Sequence, residues 1–191
     1  MEFRLVLRGS LPPHKRGVVD IKHRIRQELH PQLRSFWQQH PLLRDRWTSE
    51  PGQRSLIEQY ADKYARCGFR FVPLVADEGV CALDVLVLRR EEPYRLFTGT
   101  GDIDGRIKTL LDGLRMPQQC SEVAGSAPTA DEDPFFVLLE DDNAIYEVNV
   151  TTDRLYVPPE PQEPERDVVA VIRVRIKTFT GDRMNIYDLG P

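Results

Sequence analysis

A chain of 191 residues with 40% hydrophobic and 29% charged content is long enough to bury a core, and suits one domain or one domain with a sizeable insertion. No run of about 18 apolar residues occurs, which excludes a membrane-spanning helix, and the charges at Glu2, Arg4 and Arg8 speak against a leader peptide. The net charge of −4 hides an asymmetry, because residues 1–70 carry +7 and residues 71–191 carry −11. A basic front half suits phosphates and an acidic back half suits metal; a solvated surface of uneven charge is the plainer alternative. Cys67, Cys81 and Cys120 lie far apart without Cys-x-x-Cys spacing, so neither a disulfide framework nor a zinc site is expected. A reducing cytoplasm is the simplest location.

Along the chain, Phe3, Leu5 and Leu7 alternate with Arg4, Val6 and Arg8, which predicts a strand ending at Leu11-Pro12-Pro13. From Asp20, a plausible N-cap, Ile21, Ile25 and Leu29 recur every four residues, and Pro31 is expected to break that helix. Leu33, Phe36 and Trp37 then predict a second, short helix up to His40-Pro41. Leu56, Ile57, Tyr60 and Tyr64 mark another helix, stopped by Gly68. Two strands, 69–75 and 80–88, flank Asp77-Glu78-Gly79 and read as a hairpin. Residues 104–114 predict a helix with Ile107, Leu110, Leu111 and Leu114 on one face. Residues 117–134 read as a loop, Phe135 to Leu139 is an apolar run, and 144–150 is a strand. Residues 158–165, rich in Pro and Glu, read as a linker before a last strand with Ala170, Ile172, Val174 and Ile176 on one side. The sum is a single α+β domain over 1–191, with a mixed or antiparallel sheet and packed helices.

Gly101-Asp102-Ile103-Asp104-Gly105-Arg106-Ile107-Lys108 concentrates the chemistry. Asp102 and Asp104 are two apart, so in extended chain their side chains point the same way, and Lys108 follows Asp104 by one helical turn. Carboxylates held together call for a proton or a cation between them, and Mg²⁺, which prefers oxygen ligands, is the natural cofactor. Glu140-Asp141-Asp142 forms a second acidic knot before a strand. Three carboxylates and a lysine suit phosphodiester hydrolysis. Singly, each piece has a plainer explanation: Asp104 as an N-cap, Asp104 with Lys108 as a surface pair, and residues 140–142 as a turn.

Together, Asp-Ile-Asp-Gly-x-x-Lys-x-x-x-Asp-Gly-Leu over 102–114 and Asp141-Asp142 before a strand resemble the signature of the RusA-like Holliday junction resolvases. Gly105 stands where that family usually has asparagine, and the Leu11-Pro12-Pro13 end of the first strand is also similar. The resemblance implies a RusA-like fold with an extended helical N-terminal insertion over 14–68. It implies a Mg²⁺-dependent endodeoxyribonuclease that resolves branched, four-way-junction DNA in recombination and repair, working as a homodimer. Asp102, Asp104 and Asp142 match its metal-binding aspartates, Asp141 their neighbour, and Lys108 its essential lysine. A non-catalytic nucleic-acid- or protein-binding member of the same fold is the alternative, and a nucleotidyl or phosphotransfer enzyme using the Asp102–Asp104 pair is a further one.

Basic residues at strand and loop positions complete the candidate DNA surface. Lys15 and Arg16 follow the double proline, and Arg173, Arg175 and Lys177 alternate on one face of the last strand at a spacing suited to successive phosphates. For that stripe, a solvated outer face is an equal alternative. His23, His30 and His40 have no partner at metal-ligand spacing, and Trp37, Trp47 and Tyr60 read as packing residues.

Overall fold

The computed structural model describes residues 1–12, 19–47, 53–77, 79–90, 103–157 and 167–178. Its elements run β1 (Glu2–Ser10), α1 (Val19–Gln39), α2 (Leu56–Lys63), β2 (Ala65–Arg66), β3 (Phe69–Val75), β4 (Gly79–Arg89), α3 (Ile103–Leu114), β5 (Phe135–Leu139), β6 (Ile145–Arg154) and β7 (Asp167–Thr178). Short 3₁₀ turns cover Arg44–Trp47, Cys120–Val123, Ala130–Glu132 and Asp142–Ala144. The fold is mixed α+β. Among the described residues no helix is long and apolar enough to cross a membrane.

A four-stranded sheet has the order β1-β7-β4-β6, with β7 antiparallel to both β1 and β4, and β4 parallel to β6. The alternation in β7 works as the sequence suggests: Ala170, Ile172, Val174 and Ile176 are buried, while Val171, Arg173 and Arg175 take the other face. Leu5 and Leu7 of β1 and Cys81, Leu83, Val85 and Val87 of β4 join them in one core with Leu110 and Leu114 of α3. A smaller sheet, β2-β3-β5, carries the aromatic cluster Phe69, Phe71 and Phe135.

Three expectations are corrected. The helix does not stop at Pro31, which sits inside the single 21-residue α1. Proline removes the N–H that the Gln27 carbonyl would accept, at a cost of about 3 kcal/mol in a helix interior. Pro31 lies on the exposed side, where water reaches that carbonyl, and Ile25, Leu29, Leu33 and Trp37 run unbroken along the core side. Burying four large side chains in one row offsets the lost bond.

The hairpin is also absent. Ala76 accepts the Gly79 N–H at 3.0 Å, so the chain does turn there, but β3 pairs with β5 and β4 with β6 and β7. Finally, Cys67 and Cys120 are joined in a disulfide, bringing the β2–β3 turn against the Cys120–Val123 turn within the 117–134 connection. Their separation of 53 residues gives no local signal for the pairing. The 158–165 linker lies outside the described residues, as do residues 14–18, which open the expected insertion.

Candidate acidic site

α3 forms because Ile107, Leu110, Leu111 and Leu114 present an apolar stripe to the core. Gly113 lets it lie close to α1: a Cβ placed there would stand 2.6 Å from Cγ2 of Ile25. Asp104, Lys108 and Asp112 follow one another every four residues along this helix. Asp104 and Lys108 are exposed in its first half, while Asp112 is buried near its end.

Asp112 is buried because two cations reach it. Lys22 Nζ lies 2.7 Å from Oδ2, and Arg115 Nη2 donates to Oδ1 at 3.0 Å. Burial alone pushes this carboxyl up, but Lys22 and Arg115 outweigh it and hold it below the usual range. Arg26, fully buried on α1, caps the same helix end: it donates to the carbonyls of Asp112 and Arg115 at 2.9 and 2.8 Å. Cations belong at a helix C-terminus, where unpaired carbonyls gather. Glu122 completes the network at 2.8 Å from Arg26 and 3.4 Å from Arg115. The disulfide anchors the turn that carries Glu122.

The Asp141–Asp142 pair meets this network from the other side. β5 ends beside α3, with Arg115 bridged to Leu139, and the Asp142–Ala144 turn packs against α3. Asp141 accepts the Asn143 N–H at 3.1 Å and a bond from the Gln118 amide, so its carboxyl is lowered, chiefly by the Asn143 bond. Asp142 is half exposed, with Oδ2 4.0 Å from Nε of Arg115. Its carboxyl is raised, first by desolvation, then by the neighbouring Asp141, with Asp112 adding to the effect. A proton or cation at Asp142 relieves that repulsion.

The sequence-predicted residues therefore divide into two stations on one helix. Asp104 and Lys108 mark its start; Asp141 and Asp142 gather with Asp112 and Arg115 at its end. At 1.5 Å of rise per residue, the eleven positions from Asp104 to Arg115 span about 16 Å. Among the described residues no group of three His, Cys, Asp or Glu side chains stands at metal-holding spacing. Asp102, Lys15 and Arg16 lie outside the described residues. Sequence reasoning assigned Asp112, Lys22, Arg26, Arg115 and Glu122 no role in this network, although Asp112 stands in the 102–114 pattern, two turns after Asp104 on the same row.

The basic stripe of β7 is matched by acids on its neighbours. Arg173 forms a two-pronged bond to Glu2 of β1 at 2.8 and 2.9 Å, and approaches Asp84 of β4 at 3.6 Å. Arg175 lies 3.4 Å from Asp84 and 3.3 Å from Glu147 of β6. Lys177 stands 5.5 Å over the ring of Tyr146. The result is an ion-pair ladder across all four strands, in which a phosphate would compete with three carboxylates. Separately, a groove of about 410 Å³ lies between β1 and α1, lined by Phe3, Arg4, Gln32, Ser35, Phe36 and His40 among others. No family model, curated protein or solved structure matches the chain, so side-chain chemistry and geometry carry the functional argument.

Proposed function

We propose that this protein is a Mg²⁺-dependent endonuclease of branched DNA, with the RusA-like signature residues as its site. The observation that carries the reading is the packing of the Asp142–Ala144 turn against α3, the helix of Asp104 and Lys108. The second motif, almost thirty residues further along the sequence, thus packs on the helix that carries the first, toward its far end. The all-oxygen donor set and the raised carboxyl of Asp142 fit a hard divalent cation. Asp102, Asp104 and Asp142 would hold the ion only with the Asp142 turn moved along α3 from the Arg115 end toward Asp104, and Asp141, fixed by its bond from Asn143, would orient its neighbour. Mg²⁺ supplies charge neutralisation and an acidified water when bound. Lys108, exposed one turn from Asp104, would stabilise negative charge gathering on the scissile phosphate. Branched DNA as substrate and a two-subunit protein are parts of the same reading.

The test is nicking of a synthetic four-way junction with Mg²⁺, comparing the parent with Asp104→Asn and Asp142→Asn. The expected result is metal-dependent cleavage that falls at least a hundredfold in both variants. A folded protein that never cleaves, whatever the divalent ion, defeats the nuclease reading.

A second reading, a non-catalytic binding protein on the same scaffold, is favoured by the neutralisation of Asp112 by Lys22 and Arg115 and by the length of helix between Asp104 and Arg115. It expects junction or protein binding without cleavage, and no Mg²⁺-dependent rise in melting temperature.

A further inference from the structure

The four-stranded sheet has two outer edges, and they are finished differently. On β1, the side-chain amide of Gln32 donates to the Val6 carbonyl at 2.7 Å and accepts the Val6 N–H at 2.9 Å. A side chain thus occupies the middle of that edge, a recognised way of blocking strand addition. β6 forms the other edge. It is ten residues long, pairs with β4 on one side, and no described strand pairs with its outer side.

β6 lacks two of the commonest edge protections, proline and lysine, and its charges are confined to Glu147, Asp153 and Arg154. Ile145-Tyr-Glu-Val-Asn-Val-Thr-Thr-Asp-Arg154 contains no proline, glycine or lysine, and is rich in β-branched residues. Val148 and Val150 stand beside Leu83 and Val85 of β4. Leu83 and Val85 are 0% and 2% exposed, whereas each valine is 37% exposed. The core face of the sheet therefore continues onto its last strand, where both valines stand partly exposed.

We propose that β6 pairs antiparallel with β6 of a second copy of this chain, about a two-fold axis at Asn149. The result is one continuous sheet of eight strands. The strand is self-complementary in that register. Val148 of each copy faces the partner's Val150, so four valines close over one another, and Glu147 faces the partner's Thr151. Moving the axis to Val150 would set Glu147 against the partner's Asp153, like charge against like, and a one-residue slip would turn the valines to the opposite face. The strand's ends agree with this pairing. In that register Arg154 of each copy falls opposite the partner's Ala144, next to the partner's Asp141-Asp142 turn, while Asp153 faces the partner's Ile145. This deepens the two-subunit part of the proposed function by naming its surface, and needs no catalysis, so the two stand or fall by separate measurements.

The experiment is solution mass by light scattering at micromolar concentration. The parent protein is expected at twice the 22.0 kDa chain mass. Val148→Glu/Val150→Glu and Val148→Lys/Val150→Lys are each expected at a single chain mass while still unfolding cooperatively, at a temperature lowered only by the lost association, and an equimolar mixture of the two returns to the doubled mass. Asn149→Cys, which leaves the valines intact, crosslinks to itself on oxidation, whereas Thr152→Cys does not. A monomeric parent, a doubled mass for either charged variant, or failure of both the mixture and the Asn149→Cys crosslink would overturn the proposal.

Discussion

Nε of Arg115 lies 4.0 Å from Oδ2 of Asp142, while Nη2 of the same guanidinium donates to Asp112 at 3.0 Å. One arginine thus joins the end of α3 to the turn that carries the acidic pair. Arg115→Met keeps the bulk and removes the charge. Asp112 retains Lys22 and Glu122 retains Arg26, but Asp142 loses its cation. Breaking a buried ionic network this way costs about 3 kcal/mol, read by urea denaturation. A loss within error of zero would mean that the network does not hold the turn.

Asp112→Asn separates the charge of Asp112 from its shape. The Asp142 carboxyl, raised partly by Asp112, is expected to drop toward its ordinary range, since one repulsive neighbour is gone and Arg115 is released toward it. Carbon-detected NMR titration of Asp142 measures this directly. The folded pKa of Asp112 itself is lowered, so its contribution is present above the ordinary value of 3.8 and is lost as pH falls below it. The variant lacks that acid-limb loss.

Gly113→Ala tests the approach of the two helices. The new methyl would stand 2.6 and 2.7 Å from two carbons of Ile25, so α1 and α3 must separate. Overpacking costs about 1–3 kcal/mol and the better helix propensity returns about 1. A net loss of up to about 2 kcal/mol is expected in equilibrium unfolding, and a gain would show that α1 moves freely.

Acid sensitivity should come from α1. His23 is buried against Phe69 and Phe135 with both ring nitrogens unpaired, and His30 accepts the Phe136 N–H and meets the Asp131 carbonyl, both at 2.9 Å. Burial is the main cause that lowers both pKa values below 6.5; Arg26 acts the same way on His23 while Glu132 opposes it. Protons therefore favour the unfolded chain, and stability present above about pH 6.5 is lost as pH falls toward the folded values. His23→Leu should flatten this slope and add about 1–2 kcal/mol near pH 5, because an unsatisfied buried group is removed. An unchanged slope would acquit His23.

Much of the fold is legible as local period. β1, α2, α3, β6 and β7 follow from apolar residues recurring at two or at three to four positions, because those spacings decide which side chains share a face. At the site, the same logic places Asp104 and Lys108 one turn apart on α3. Pro31 shows the limit of that logic: a local breaker is overridden when Leu33 and Trp37 complete a row already begun by Ile25 and Leu29.

Sequence alone, then, determined the faces of the elements and the acidic and basic residues they carry, since periodicity is a property of neighbours along the chain. Tertiary structure decided the partners. It sent β3 to β5 rather than β4, closed Cys67 on Cys120, and buried Arg26 on the carbonyls of a helix end nearly ninety residues away. It also matched Arg173 and Arg175 with Glu2, Asp84 and Glu147. Such choices depend on which distant groups can satisfy a buried charge or an unpaired backbone, and no stretch of chain holds both members of those pairs.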